Sequence, residues 1–419
     1  MKAGWSVLTQ PFAAVGERAE FRKLWLGNLV SAFGTNLTNL ALPLTAAVSL
    51  RASPVQMGAL TAASLLPNLL FGLPAGVIVD RLPRRLIVVV ADVGRALLLA
   101  SIPAAALLGV LGMEQLYAVV FLAAVLDLFF DVAATSLVPL VLGRELLTDG
   151  NTALSLNNQV ARVVGPSVGG VLVGVLSAPI AIALDAASFV VSAACLAAIR
   201  VAEPPARRAL RAGWWAELIE GLGLVWRDPV LRSIAGASVL GQLGGAVQAP
   251  LVVLFMAREL GLPPTTLGVV FAAAGLGAVP GSFLARPFAA WLGQGRAVAA
   301  GTTLCVVGML LTPLAAGPRP VLLTTLVAAQ LMFGIGVSIY AINQLTLRQL
   351  AVPNHLQGRT NATRRFLMFG AAPLGAVASG YLAEAVGLRP GLLVGALLMA
   401  AALLWTICSP LWSLRGNGD

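Results

Sequence analysis

The apolar positions of the chain lie in long continuous runs, and short polar segments separate these runs. Each run is about 20 residues or longer, which is enough for an α-helix to cross the ~30 Å hydrocarbon core of a bilayer. The pattern therefore predicts an all-α polytopic membrane protein. Twelve transmembrane helices are expected, at residues 24–50, 55–79, 86–109, 114–142, 152–176, 178–199, 231–257, 265–289, 297–316, 320–347, 361–385 and 390–411.

The longest polar segment, "RVAEPPARRALRAGWWAELIEGLGLVWR", lies between the sixth and seventh apolar runs. Near its start, Pro204-Pro205 breaks the helix, and basic residues and tryptophans follow, a mixture typical of an amphipathic connector on a membrane surface. We expect an N-terminal six-helix bundle at residues 1–200, a cytoplasmic linker at 201–230 and a C-terminal six-helix bundle at 231–419. A division into six and six helices is typical of duplicated transporters.

A weak internal repeat agrees with a duplication. The segment "GVIVDRLPRR" starts at Gly76, and "GSFLARPFAAWLGQGR" starts at Gly281, about half the chain later. The second copy has Ala285 where the first has Asp80. Chance similarity is the alternative interpretation of so short a match.

Composition and charge agree with a membrane protein. The chain is 58% hydrophobic and only 11% charged, whereas a soluble domain carries about 25% charged residues. The net charge of +10 does not indicate nucleic-acid binding, because most of the basic residues fall in the loops of one side. This bias places those loops, and both termini, in the cytoplasm. The expected location is the plasma (inner) membrane.

The sequence favours neither an enzyme nor a cofactor-binding protein. It contains no H-E-x-x-H motif and no phosphate-binding loop, and the three cysteines have no metal-ligand spacing. We therefore expect no cofactor and no metal. A polytopic membrane enzyme or a receptor is the alternative from another functional class.

One short loop concentrates charge between the second and third predicted helices. It reads Gly76-x-x-x-Asp80-Arg81-x-Pro83-Arg84-Arg85. The glycine permits close helix approach, and the aspartate can accept hydrogen bonds from the arginines or from a helix N-terminus. Such a cluster can latch two bundles together on the cytoplasmic side. A basic loop that only determines topology is the alternative.

This loop resembles the signature of the major facilitator superfamily, G-x-x-x-D-R/K-x-G-R-R/K, with Pro83 at the second glycine. A second segment, Ala161 to Gly170, resembles the antiporter motif of that superfamily, G-x-x-x-G-P-x-x-G-G, with Ala161 at the first glycine. In it, Pro166 removes a backbone hydrogen bond, and the remaining glycines, at 165, 169 and 170, let another helix approach closely. An ordinary Gly- and Pro-rich transmembrane helix is the alternative.

A third stretch, "RQLAVPNHLQGRTNATRRF", is similar to proteins of the drug and macrolide efflux and enterobactin-exporter branch. The resemblance implies two six-helix bundles that open alternately to either side. It implies a monomeric, proton-coupled exporter of small hydrophobic molecules such as drugs or natural products. The fourth helix lacks the arginine that many members carry. An importer, or a lipid or siderophore transporter of the same fold, remains the alternative.

Ionisable residues inside predicted transmembrane helices are costly and point to function. They lie in the first half of the chain: Asp92, Arg95, Asp127, Asp131, Arg162 and Asp185. A rise of ~1.5 Å per residue places Asp92 and Arg95 level with Asp131. It places Asp127 near the midplane, where Arg162 can pair with it.

These depths suggest separate roles for the two acids of "DLFFD". Asp127 is the leading proton-binding residue, with Arg162 as its partner and Asp131 as the alternate. Asp131, Asp92 and Arg95 lie closer to the cytoplasmic gate formed by the loop at residues 76–85. A static ion network that only neutralises its own charges is the alternative interpretation.

Overall fold

The structure is a computed structural model, and it describes residues 13–72, 74–143, 145–201, 203, 222–223, 225–351 and 357–413. These residues form α-helices joined by short turns and contain no β-strand. Most of the expected linker, at 204–221, lies outside them, and so does part of the third resemblance segment, at 352–356.

The helices of the first half are, in order, α1 (Ala13–Glu17), α2 (Ala19–Leu44), α3 (Pro54–Phe71), α4 (Pro74–Val79), α5 (Arg84–Leu107), α6 (Met113–Leu142), α7 (Leu147–Leu176) and α8 (Ala178–Ala197). Those of the second half are α9 (Pro229–Leu254), α10 (Pro264–Leu292), α11 (Gln294–Leu314), α12 (Arg319–Ala351), α13 (Gln357–Val386) and α14 (Leu388–Ile407).

Ten helices in the described part of the chain, α5 to α14, are long and apolar enough to cross a membrane. The expected all-α membrane fold is therefore confirmed, but the count of twelve is not reproduced in full. At the first two predicted positions, α2 begins with the charged residues Glu20, Arg22 and Lys23 and continues with several asparagines, and α3 is only 18 residues long. The second predicted helix is also divided, because α3 ends at Phe71 and α4 begins at Pro74.

The chain forms two compact units. The first comprises residues 1–45 and 70–210, and the second comprises residues 46–69 and 211–419. In the first unit α8 packs against both α2 and α5, α7 packs against α2, and α6 packs against α5. In the second unit α14 packs against α9 and α11, α13 against α9, and α12 against α11. The same order of helix packing thus occurs in both units.

Residues 46–69 belong to the second unit although they come early in the sequence. Two glycines allow this segment to approach α13 closely. A Cβ atom on Gly58 would lie 2.4 Å from the Ala376 carbonyl oxygen, and one on Gly380 would lie 2.6 Å from the Val55 Cα atom. Gly58 and Gly380 are therefore contact points at which any larger residue would displace a backbone.

The ends of α2 and α9 have the same backbone conformation. Each helix has 26 residues and continues into a five-residue π-helical turn. After the turn, the Ala52 amide donates to the Ala46 carbonyl at 2.9 Å, and the Leu262 amide donates to the Met256 carbonyl at 3.0 Å. The residue before each of these donors has a positive φ, 52° at Arg51 and 61° at Gly261.

Corresponding positions in the two halves thus share a left-handed conformation, one held by glycine and one by arginine. A side chain in this region costs roughly 1–2 kcal/mol. Replacing glycine with alanine also restricts the unfolded chain, and this effect alone raises the free energy of unfolding by about 0.4–1 kcal/mol.

We expect Gly261→Ala to lower the free energy of unfolding by about 1 kcal/mol, because left-handed strain outweighs the restriction of the unfolded chain. Arg51→Gly should raise it by up to about 1 kcal/mol for the converse reason. Thermal unfolding of the purified protein in detergent measures both. The control is Gly245→Ala inside α9, where an added Cβ meets no atom within 4 Å. A Gly261→Ala protein as stable as the Gly245→Ala protein would contradict the expectation.

Candidate functional site

Three ionisable side chains form one cluster between α5 and α6. The guanidinium of Arg95 donates through Nη2 to Asp92 Oδ1, one helical turn earlier on α5. Its Nη1 atom donates to Asp127 Oδ1 on α6 at 2.6 Å. A single cation is therefore shared by two carboxylates on two helices.

Aromatic rings enclose the shared cation on both sides. The guanidinium carbon of Arg95 lies 4.4 Å from the centre of the Phe130 ring on α6 and 4.3 Å from that of Phe189 on α8. Cation–π contacts of this kind become stronger when the cation is shielded from water. The rings hold the guanidinium plane in position, and they tie α8 to the cluster.

The two acids differ in exposure. The side chain of Asp92 is completely buried, whereas that of Asp127 is 52% exposed. The buried hydroxyl of Ser192 on α8 lies beside the Asp92 carboxylate. The cluster therefore has one enclosed acid and one acid that its surroundings can reach.

The expected Asp127–Arg162 pair is not formed. Asp127 pairs with Arg95 instead, while Arg162 is exposed on α7. The reason is packing, since α7 lies against α2 and α6 lies against α5. The contact face of α7 carries the neighbouring small residues at 161, 165 and 169, which are buried.

Asp131 was expected beside Asp92 and Arg95. In the structure Arg95 instead bonds to Asp127, which lies one turn earlier on α6. Asp131 is exposed. Rise per residue locates Cα atoms along the membrane normal. An extended arginine side chain is longer than the 5.4 Å pitch of one turn, so depth alone did not distinguish the two acids.

Next to this cluster, α8 carries a buried polar face. Asp185, Ser188 and Ser192 follow a spacing of three and four residues, which aligns them on one side of the helix. Opposite them, α2 has glycines. A Cβ on Gly34 would lie 2.1 Å from Asp185 Oδ1, and one on Gly27 would lie 3.2 Å from Ser192 Oγ. The sequence pattern identified Asp185 as a membrane acid but gave it no role.

The signature loop is organised by a carboxylate that the motif does not contain. Glu203 accepts hydrogen bonds from the backbone amides of Arg84 at 2.6 Å and Arg85 at 2.9 Å. These amides begin α5 and have no partner within the helix. A carboxylate at this position also interacts favourably with the helix dipole. Within the motif, the Asp80–Arg84 ion pair is longer, at 3.7 Å, and Asp80 is half exposed.

Basic side chains bind the end of α8 close to this loop. Arg85 donates to the Ala197 carbonyl, and Lys23 donates to the Ala198 carbonyl at 2.8 Å. Lys23 also pairs with Glu20, which accepts the Arg200 backbone amide at 2.7 Å. The Lys23 ammonium, together with that amide, lowers the pKa of Glu20. The ends of α2, α5 and α8 are thus joined by one set of contacts.

The remaining motif residues divide into two groups. Gly165 and Gly169 permit the expected close approach, since an added Cβ would lie 2.5 Å from Asn36 Cβ and 3.3 Å from Leu37 Cα on α2. Gly76 does not, because a Cβ there would meet no atom within 4 Å. Pro166 lies within α7, which continues through it, and Arg81 is exposed. Gly170 is buried.

Polar contacts in the second unit involve neutral side chains. Gln344 on α12 donates to Ser238 Oγ on α9 at 2.9 Å, and the same hydroxyl lies 3.3 Å from the Tyr340 hydroxyl. Asn343 donates to the Ala285 carbonyl on α10 at 3.1 Å. In the part of the chain that the structure describes, no group of three His, Cys, Asp or Glu side chains could hold a metal ion.

A family model described as "transmembrane secretion effector" matches residues 9–416, nearly the whole chain. The chain belongs to this family of major facilitator superfamily transporters. It is a multi-pass integral membrane protein and a membrane transporter. Among curated proteins, it is 28% identical over 339 residues to the multidrug efflux pump Tap of Mycolicibacterium fortuitum, covering 78% of this chain and 80% of that protein.

Other members and solved structures agree. The Tap protein of Mycobacterium tuberculosis is 26% identical over 407 residues, covering 92% of this chain and 91% of that one. The nucleoside transporter NupG superimposes with a TM-score of 0.76 at 11% identity, and the match covers 94% of the present chain and 100% of NupG. A bacterial homologue of the iron transporter ferroportin gives 0.75 at 16% identity, covering 95% and 99%. These likenesses establish the fold.

We expect Arg95→Met to lower the free energy of unfolding by about 3–5 kcal/mol, because it leaves the buried charge of Asp92 without its partner. Arg162→Met, at an exposed position in the same unit, should change it by less than about 1 kcal/mol. Thermal unfolding in detergent measures both. The double variant Arg95→Met with Asp92→Asn should recover part of the loss. Equal destabilisation by the two single arginine variants would argue against the shared-cation cluster.

We expect Glu203→Ala to lower the free energy of unfolding by about 1 kcal/mol, as loss of a helix N-cap does. Glu145→Ala is the matched control, since that acid is exposed in the turn between α6 and α7. Hydrogen exchange at the first turn of α5 locates the effect, and protection there should fall only in the Glu203→Ala protein. Unchanged protection would show that Glu203 does not cap α5.

Proposed function

We propose that this transporter is an exporter that couples the outward movement of small, moderately hydrophobic molecules to the inward movement of protons. It acts as a monomer in the plasma membrane with both termini in the cytoplasm. Export is supported by the family and by relatives named as multidrug efflux pumps. Proton coupling is supported by one observation, the sharing of Arg95 between Asp92 and Asp127.

The shared cation lets a proton bind and leave without isolating a buried charge. With both acids ionised, Arg95 is balanced, and one negative charge is in excess. When Asp127 takes up a proton, Asp92 still balances Arg95. Removing the only partner of a buried ion is strongly destabilising, and this arrangement avoids that state in both protonation forms. Asp127 is the acid that exchanges the proton, because half of its side chain is exposed.

Protonation of Asp127 would change the contact between α5 and α6. The hydrogen bond from Arg95 to Asp127 is charge-assisted and loses much of its strength when the carboxyl becomes neutral. Arg95 then turns towards Asp92, and α6 is held less tightly. In this mechanism Arg95 takes the partner role that the sequence pattern gave to Arg162, and Asp131 is a secondary acid one turn away.

The motif residues have supporting roles in the proposal. Asp80, Arg81, Arg84 and Arg85 order the cytoplasmic end of the first six-helix bundle, with Glu203 holding the start of α5. Gly165, Pro166, Gly169 and Gly170 set the packing of α7. The two bundles, at residues 1–200 and 231–419, are joined by the linker at 201–230, and they expose the substrate alternately to the two sides.

We expect Asp127→Asn to lower substrate accumulation driven by a pH gradient, because the amide cannot exchange a proton. Resistance conferred on a host without its own efflux systems first selects a drug as the probe. Accumulation of that drug is then measured in inverted proteoliposomes. A loss of about tenfold or more is expected, within the range of typical coupling energies, while exchange without a gradient persists.

Asp131→Asn is the matched comparison, because it makes the same change one helical turn away. Its effect should be clearly smaller. Undiminished gradient-driven transport in the Asp127→Asn protein would remove Asp127 from the mechanism. Loss in the Asp131→Asn protein alone would assign coupling to the second acid. Drug uptake into cells, in place of resistance, would indicate an importer.

A further inference from the structure

The side chain of Asp185 is almost fully enclosed between α2 and α8. The residue is 1% exposed. Its Oδ1 atom accepts a hydrogen bond from Ser188 Oγ at 3.0 Å, and its Oδ2 atom has no hydrogen-bond partner. The Thr38 hydroxyl of α2 lies beside the carboxyl as its second hydroxyl neighbour. The absence of a side chain at Gly34 makes room for this carboxyl.

No described cation forms a salt bridge with Asp185, and its charged neighbours are already engaged. The neighbour on α5 is Arg95, and the neighbour on α6 is Asp127. The α2 face opposite contributes the Thr38 hydroxyl, and Arg162 on α7 is exposed. Arg95 already bonds to both Asp92 and Asp127.

Counting the charges separates Asp185 from the other acids. Three carboxylates, at 92, 127 and 185, lie around the single guanidinium of Arg95. With all three ionised, the group carries two negative charges in excess. An unpaired carboxylate buried away from water costs several kcal/mol. A proton on Asp185 Oδ2 removes this cost and supplies a donor for the neighbouring hydroxyl.

We propose that Asp185 is a second proton-binding site, and that its proton is retained as long as α2 and α8 are packed together. This inference rests on the proposed proton-coupled function and adds a second acid to it. Asp127 exchanges its proton through its exposed half. Asp185 releases its proton to water only when the contact at Gly34 opens, so proton release is tied to a movement of two helices.

The proposal is tested first without transport. Infrared difference spectra of the purified protein in lipid are recorded during a pH titration, because a protonated carboxyl has a C=O stretching band that a carboxylate lacks. Asp185→Asn should remove one such band, and Asp127→Asn should remove another. Ser188→Ala should shift the titration midpoint of the Asp185 band without removing it. The Glu145→Gln protein should keep both bands.

A spectrum of the Asp185→Asn protein identical to wild type at every pH would overturn the proposal. Because that variant could fold poorly, Ser188→Ala gives a separate test, and a band unaffected by both changes refutes the assignment. Band loss in Asp185→Asn together with a shift in Ser188→Ala would support it. Both measurements are independent of substrate.

The second readout separates this inference from the proposed function. Asp185→Asn should reduce gradient-driven accumulation about tenfold, a coupling loss within the typical range, and leave exchange without a gradient within a factor of about two. Absence of gradient-driven transport in the wild type would refute the proposed function, and the infrared bands would still decide the proton site. Full gradient-driven transport in the Asp185→Asn protein would exclude Asp185 from coupling.

Discussion

The first unit is built around a cation that has been taken out of water. Arg95 is enclosed by two aromatic rings and held by carboxylates from two helices. A buried guanidinium requires compensating charge, so Asp92 and Asp127 are structural requirements as well as candidates for chemistry. The requirement links α5, α6 and α8, and it leaves only one of the two acids accessible. Structural and functional interpretations of the network are therefore compatible, because the ion pair that joins the helices is the one on which the proposed proton exchange at Asp127 would act.

The class of fold could be predicted from the sequence because the bilayer imposes the length and apolarity of each helix. Helices α5 to α14 follow directly from this constraint. The first two predicted helices were harder, since α2 buries polar and small residues against α8 and α3 lies partly in the second unit. Their stability comes from helix packing, which apolar runs do not report.

The ionisable residues of the cluster were expected within the membrane but not as one group, since Asp92 and Arg95 were assigned to the cytoplasmic gate and Arg162 to Asp127. Every ionisable residue of the cluster was recognisable from its position within an apolar run. The partner of Asp127 was not, because the rotation of each helix and the length of the arginine side chain decide which groups meet. Phe130 and Phe189 could not be distinguished from core residues. Glu203 was missed because it lies in the polar segment after α8, outside the apolar runs and the loop motif. Gly34 is a sequence feature that could have indicated the packing of Asp185, since a glycine on one helix can make room for a buried acid on another.

The contact between Glu203 and the start of α5 has a mechanical consequence. Glu203 immediately precedes the Pro204-Pro205 pair at which the connector between the two halves begins. Its carboxylate is fastened to the first turn of α5 and not only to the covalent end of α8. A displacement of Glu203 would therefore be transmitted to the first turn of α5, the helix that carries Arg95.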